Sequence, residues 1–201
     1  MELLVIGRPH VGKTLLMINF AAYLGMSDIR VEVQDSDGRQ MVRRLTLARA
    51  RRELVSLSTP KTAQVHSLTI EVTSGRQRSE ILLVDTPGVL EGIAPDSRDR
   101  QLTAQTIGRL MRAAMVFHVV DASRVKSQCQ EAGESFDRSL WQFGQRREGY
   151  LLVANKVDRP GSHEGLKFLR DECRGITMIP TSCATRRGFR ELKVWVSRAI
   201  P

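Results

Sequence analysis

The sequence offers little to a membrane, secreted or thiolate-metal reading. No apolar run in its 201 residues approaches the roughly 20 that span a bilayer. The three cysteines, Cys129, Cys173 and Cys183, are odd in number and lack close paired spacing. Neither a disulfide framework nor a zinc site is therefore expected, and a reducing, cytoplasmic compartment fits best. Met1 is followed directly by strand-like residues, without the basic, apolar and small-residue pattern of a signal peptide. Aromatic residues are scarce, at 5%, and several of them, Phe136, Trp141 and Phe143, sit with Leu140 at nearby helical positions. That spacing reads as core packing rather than base stacking. Acidic residues are also in deficit, 22 against 31 Lys and Arg, giving a formal charge of +9. Such a balance favours an anionic partner, nucleic acid or an acidic membrane surface. No internal repeat or low-complexity segment marks a second domain, and a chain of this length buries roughly 70% of its unfolded surface as one.

Against this background one stretch stands out. Gly7-Arg8-Pro9-His10-Val11-Gly12-Lys13-Thr14 follows the apolar run Leu3 to Ile6 and precedes the apolar segment Leu15 to Leu24. This is strand, glycine loop and helix, the context in which a P-loop binds a nucleoside triphosphate. Glycine at positions 7 and 12 lets backbone N–H groups close around phosphates, and the helix start directs its positive dipole end at them. Lys13 is expected to reach the β and γ oxygens, and the Thr14 hydroxyl to bind Mg²⁺.

The chain beyond it has the alternation of a doubly wound α/β protein. Residues 29–33 read as a short strand, 35–38 as a turn, and 39–57 as a helix carrying Arg43, Arg44, Arg49, Arg51 and Arg52, a basic insert over about 28–58. Residues 65–72 and 79–84 read as a hairpin. The second of these strands ends in Asp85-Thr86-Pro87-Gly88, where Asp85 can hold a magnesium-bound water and Gly88 can offer its N–H to a γ-phosphate. Further strands are expected at 114–121, 150–154 and 176–180, and helices at 102–112, 134–147, 164–173 and 189–200. Residues 91–100 and 123–133 read as loops, and His66 and His118 as a surface and a satisfied core histidine.

The strand at 150–154 feeds Asn155-Lys156-Val157-Asp158. A carboxylate at Asp158 accepts from the ring nitrogen and the exocyclic amino group of guanine, and adenine leaves it poorly paired. Lys156 is placed to lie against the base plane and Asn155 to tie this loop to the P-loop. The last strand opens into Thr181-Ser182-Cys183-Ala184, whose backbone N–H groups are placed to meet the guanine oxygen.

Taken in order, these motifs resemble the Era-like branch of the TRAFAC P-loop GTPases. Residues 7–14 are close to GRPNVGKS, residues 85–88 match DTPG, and residues 155–158 match NKxD. Ser182, Cys183 and Ala184, followed by Gly188 and Phe189, look like the looser SAK pattern. The resemblance implies a three-layer P-loop NTPase fold, a doubly wound, mostly parallel six-stranded sheet with one antiparallel strand, as a single GTPase domain over 1–201. It also implies GTP and GDP as ligands, Mg²⁺, slow hydrolysis and two switch loops, the first within 58–64. There Thr62 is the candidate magnesium-binding and catalytic threonine, with Thr59 as the alternative; Lys13 is the other catalytic candidate and Thr14 and Asp85 the further metal ligands. Val89 stands where Ras-like members have a water-orienting Gln, so turnover without a partner is expected to be slow. His10 replaces the P-loop Asn that helps bind an activating potassium ion in related members, so K⁺ lacks its usual ligand here. Arg51 or Arg52 is a candidate arginine supplied in cis from the insert. The competing reading is a nucleotide-sensing adaptor that hydrolyses negligibly and recruits a protein or RNA partner. A protein effector, a homodimer partner, RNA or the ribosome, and an anionic surface docked through the basic insert are all open.

Overall fold

The computed structural model of the chain describes residues 1–34, 40–56, 65–74, 77–86, 97–131 and 136–200. Its centre is β1 (Glu2–Ile6), a strand apolar at Leu3, Leu4, Val5 and Ile6, all at most 1% exposed. An uninterrupted apolar run of this kind belongs to a parallel strand covered on both faces. Neighbouring β1 are β5 (Gln77–Asp85) and β6 (Met115–Asp121), both parallel to it. In chain order the remaining strands are β2 (Asp28–Gln34), β3 (Gln40–Thr46), β4 (Val65–Ser74), β7 (Tyr150–Asn155) and β8 (Met178–Pro180). Together they form one eight-stranded sheet in the order β3-β2-β4-β5-β1-β6-β7-β8. Pairings β2–β3, β2–β4 and β4–β5 are antiparallel and the rest parallel, so only β3 and β4 run against the others.

Seven helices are described: α1 (Lys13–Tyr23), α2 (Leu47–Ser56), α3 (Ser97–Arg112), α4 (Val125–Glu131), α5 (Phe136–Gly144), α6 (Ser162–Glu172) and α7 (Phe189–Ala199). They cover both faces of the sheet. Leu3, Val5, Phe117 and Val153 pack on one side with Phe20 of α1 and Phe189 and Leu192 of α7. Alternate residues Leu4, Ile6 and Val116 point the other way, against Leu110 of α3 and Leu140 of α5. Val120, Leu152 and Ala154 pack with Trp141 of α5 and Leu169 of α6. Phe20 meets Phe117 and Phe189 edge-on at centroid separations of 6.4 and 6.3 Å, so α1 and α7 share one aromatic seam.

The α/β class and the mostly parallel sheet agree with the sequence reading; several details change. The sheet has eight strands rather than six, with two against the majority direction rather than one. The expected helix over 39–57 is instead strand β3 followed by the shorter α2. Its first half pairs residue for residue with β2, from Asp28 opposite Thr46 to Gln34 opposite Gln40. Tertiary pairing here overrides the helical propensity of the arginines, because Leu45 on β3 and Ala50 and Leu54 on α2 all enter the same core cluster as Ile29 and Val31. The insert is thus the outer edge of the sheet and not a separate helical appendage. The expected loop at 123–133 contains α4, whose buried positions Val125 and Cys129 stand one helical turn apart. No helix among the described residues is long and apolar enough to cross a membrane.

Candidate functional site

Ligands of such sheets bind outside the carboxyl ends of the parallel strands, and it is there that the sequence motifs meet. The P-loop leaves β1 and enters α1 at Lys13 through Gly12, whose φ of +100° is a left-handed conformation. A Cβ on Gly12 would stand 2.6 Å from the Asn155 amide nitrogen, and one on Gly7 only 2.2 Å from the Val119 carbonyl oxygen. Both positions need glycine for close approach as well as for an open cradle. No side chain caps α1. Its first-turn N–H groups therefore face outward as an anion site, with the positive end of the helix behind them. Lys13 is 8% exposed, and its Nζ donates to the carbonyl oxygens of Gly7 (3.0 Å) and Arg8 (2.9 Å). Burial pushes its pKa down, while Asp85 and Asp137 pull it back up.

Thr14 and Asp85 lie 71 positions apart in sequence, yet the Thr14 hydroxyl donates to Asp85 Oδ2 at 2.5 Å. The other carboxylate oxygen, Asp85 Oδ1, is buried with no hydrogen-bond partner among the described residues. Burial raises the Asp85 pKa, opposed by Lys13, by the Thr14 hydroxyl and by His66, its cross-strand neighbour on β4. A hydroxyl beside a carboxylate with an unsatisfied oxygen is the hard-oxygen donor set that a Mg²⁺ ion accepts, so the residues fit the metal that the motifs imply. Thr86 fixes the end of β5 by donating its hydroxyl to the Val5 carbonyl at 3.0 Å. Thr59, Thr62, Gly88 and Val89, and with them the expected first switch, lie outside the described residues.

The base-reading loop is joined to the P-loop twice. Asn155, 1% exposed, donates from Nδ2 to the Val11 carbonyl at 2.9 Å. Lys156 donates to the His10 carbonyl at 2.6 Å and to Asp121 Oδ2 at 2.7 Å. Lys156 and His10 both have left-handed backbones, with φ of 64° and 62°. Burial works against ionisation of Asp121, but hydrogen bonds from Lys156 and Ser123 outweigh it and lower the carboxyl's pKa. Asp158 is exposed. Ser182 and Cys183 are buried and Ala184 exposed. The Cys183 N–H donates to Asn155 Oδ1 at 3.3 Å, which brings the last loop against the base-reading loop.

Pro9 completes the P-loop between Arg8 and His10, so the structure gathers residues 7–14, Asp85, 155–158 and 182–184 at one pole of the sheet. Arg51 is not among them. Its guanidinium Nε donates to Asn19 Oδ1 at 2.9 Å, and Asn19 Nδ2 in turn donates to the Cys183 carbonyl at 2.9 Å. Arg51 therefore braces α1 and the last loop instead of reaching the phosphate cradle. The basic insert is also partly neutralised by its own acids: Arg43 and Arg49 pair with Glu53 at 2.8 and 2.5 Å, and Arg44 with Asp28 at 2.8 Å.

Sequence reasoning missed Asp121 and Asn19. Asp121 ends the apolar run of β6 just as Asp85 ends β5, a signal that was visible. Asn19 is a polar residue within an otherwise apolar helix, and only the fold shows why.

The family described as 50S ribosome-binding GTPase matches residues 2–156. GTPase Obg of Ruminiclostridium cellulolyticum is 30% identical over 158 residues, covering 73% of this chain and 36% of that protein. GTPase Obg of Listeria innocua is 31% identical over 148 residues, covering 69% of this chain and 34% of its own. The chain thus spans about a third of the length of these curated relatives. Among solved structures, Aquifex aeolicus Era Y63A bound to GDP.AlF4- superposes with a TM-score of 0.61 at 16% identity, covering 100% of this chain and 56% of that one. The cytosolic domain of L. pneumophila FeoB gives 0.60 at 20% identity, covering 98% and 68% respectively. These structural likenesses establish a shared fold.

Proposed function

Because the chain belongs to the 50S ribosome-binding GTPase family, we propose that it is a guanine-nucleotide switch that binds GTP with Mg²⁺ and hydrolyses it slowly to GDP and phosphate. The observation that carries this reading is the convergence of Lys13, the Thr14–Asp85 pair and the Asn155-anchored loop at one end of the sheet. The open N-terminus of α1 and the P-loop amides would hold the phosphates. Lys13 would neutralise charge that builds on the β–γ bridge as an in-line water displaces the leaving oxygen. Thr14 and Asp85, with Thr62 or Thr59 from the first switch, would hold Mg²⁺, which when bound supplies electrostatic stabilisation of the same charge. Gly88 would meet the γ-phosphate. Asp158 would read guanine, Lys156 would lie along the base, and the 182–184 loop would meet the guanine oxygen.

A cytoplasmic location belongs to the same reading, and an RNA partner is supported by two facts. The chain carries a formal charge of +9. A fold neighbour, Era, has been solved with nucleotides 1506–1542 of 16S ribosomal RNA.

Titration calorimetry with GTP, GDP and ATP, each with and without Mg²⁺, tests the binding. GTP and GDP are expected to bind and ATP is not; absence of heat with GTP would overturn the reading. Phosphate release measured in K⁺ and in Na⁺ separates a hydrolysing switch from a non-hydrolysing adaptor, and slow release in both salts is expected.

A further inference from the structure

Arg8 belongs to the P-loop by its backbone and to α5 by its side chain. Its Nε donates to Asp137 Oδ2 at 2.5 Å across 129 positions of sequence. The second Asp137 oxygen lies 2.9 Å from His118 Nε2, and His118 Nδ1 lies 2.7 Å from the Tyr150 hydroxyl. A continuous chain of polar groups therefore runs from the P-loop through the first turn of α5 and β6 to β7. It lies in the interior: His118 is 0% exposed, Asp137 1% and Tyr150 5%.

The setting is otherwise apolar, with Leu4, Ile6, Val84, Leu110 and Leu140 forming the same cluster as Tyr150. An ionic group in such a place costs more than an apolar residue of equal volume unless every lone pair is met, so packing does not require it. Asp137 is fully engaged, with one oxygen on a guanidinium and the other on an imidazole, and the N-terminal turn of α5 favours its charge. Meanwhile the Arg8 carbonyl accepts from Lys13 Nζ at 2.9 Å, so the residue whose side chain Asp137 grips is also one whose backbone shapes the phosphate cradle.

We propose that Asp137 is a positioning residue of the nucleotide site: braced by His118, its carboxylate anchors the Arg8 side chain and thereby fixes the stretch of P-loop that receives Lys13 and the phosphates. The proposal rests on the nucleotide-binding reading above. Asp137 acts through Arg8 and does not itself meet the ligand, so its removal loosens the cradle for GDP and GTP alike.

The test compares the wild-type chain with D137N, R8Q and the double variant. It follows release of a fluorescent mant-GDP and the ³¹P resonance of the β-phosphate of bound GDP, and nucleotide-free melting confirms that each is folded. D137N and R8Q are each expected to speed release about tenfold, the loss of one charge-assisted hydrogen bond. The double variant should be no faster than about twice the faster single one, because both substitutions remove one interaction. The β-phosphate resonance should move in the same direction in both single variants, a change that altered core packing away from the cradle would not produce. Wild-type release with an unmoved resonance in folded D137N, or rate increases that multiply in the double variant, overturns the proposal. If D137N does not fold, R8Q alone decides by the same two readouts, since it leaves the Asp137–His118 contact in place. Failure of the wild-type chain to bind mant-GDP would instead strike the nucleotide-binding reading itself.

Discussion

The Asn155 side-chain amide donates to the Val11 carbonyl at 2.9 Å, joining residues 144 positions apart. This bond makes the loop after β7 and the loop after β1 a single unit, although neither strand is hydrogen-bonded to the other in the sheet. Its other end is equally used, since Asn155 Oδ1 accepts from the Cys183 N–H. Asn155→Ala would strand a buried carbonyl and a buried N–H, costing about 1–3 kcal/mol. The expected outcome is a lower melting temperature and at least tenfold weaker mant-GDP binding; an unchanged Kd would show that the two loops are held together by other contacts.

Asp158→Asn is expected to exchange guanine preference for xanthine preference. Asn presents a donor where the 2-amino group of guanine needs an acceptor, whereas the xanthine oxygen accepts from it. Competition of mant-GDP with XDP and GDP reads this directly. The exposed position of Asp158 implies that the variant folds normally, and retention of guanine preference would remove Asp158 from the base site.

Asp85 sets a stability that depends on pH in a definite sense. Burial raises its folded pKa above the ordinary carboxylate value, against the pull of Lys13 and Thr14. With a raised folded pKa, the contribution of this group is fully present below the unfolded pKa and is lost as pH rises through the folded one. The metal-free and nucleotide-free chain therefore loses stability as pH rises past the ordinary carboxylate range, because burial penalises the ionised form. Asp85→Asn is expected to raise its melting temperature at neutral pH by about 2–4 °C, the shift that 1 kcal/mol gives at this size. The same variant should lose the stabilisation that Mg²⁺ and GDP together give the wild type. Thermal melts at several pH values, with and without ligand, check both halves.

The thiols of Cys129, Cys173 and Cys183 are reduced and buried. Burial raises both Cys173 and Cys183 to a pKa of about 12. A thiol with so little thiolate at neutral pH reacts slowly. Ellman's reagent is expected to titrate no thiol rapidly in the native chain and three in denaturant; a fast native reaction would place one of them at the surface.

Much of this site was legible because its chemistry sits at the ends of apolar runs. Leu3 to Ile6 leads into the P-loop, Ile81 to Val84 into Asp85, and Leu151 to Ala154 into Asn155, and all three runs are central strands. What stayed hidden was decided by contacts across long stretches of chain. The arginine-rich segment 40–46 has no local reason to be extended; it is a strand because β2 offers it a full antiparallel ladder. Arg51, with Arg52 a candidate arginine supplied in cis, is placed on Asn19 by the packing of α2 on α1. The Arg8–Asp137 pair spans 129 positions and no spacing rule connects such distant residues. His118 read as a satisfied core histidine, and its two ring nitrogens are both engaged.

The two margins of the sheet are finished differently, and this bears on how the chain behaves in concentrated solution. Along β3 the outermost strand presents Arg43 and Arg44, paired with Glu53 and Asp28, beside exposed Met41 and Val42, so a second ladder there would have to desolvate charged side chains and their ion pairs. On the far side β8 is only three residues long and ends at Pro180, which has no N–H to offer. One margin is guarded by charged side chains and the other by brevity, and neither is a template for open-ended stacking of copies.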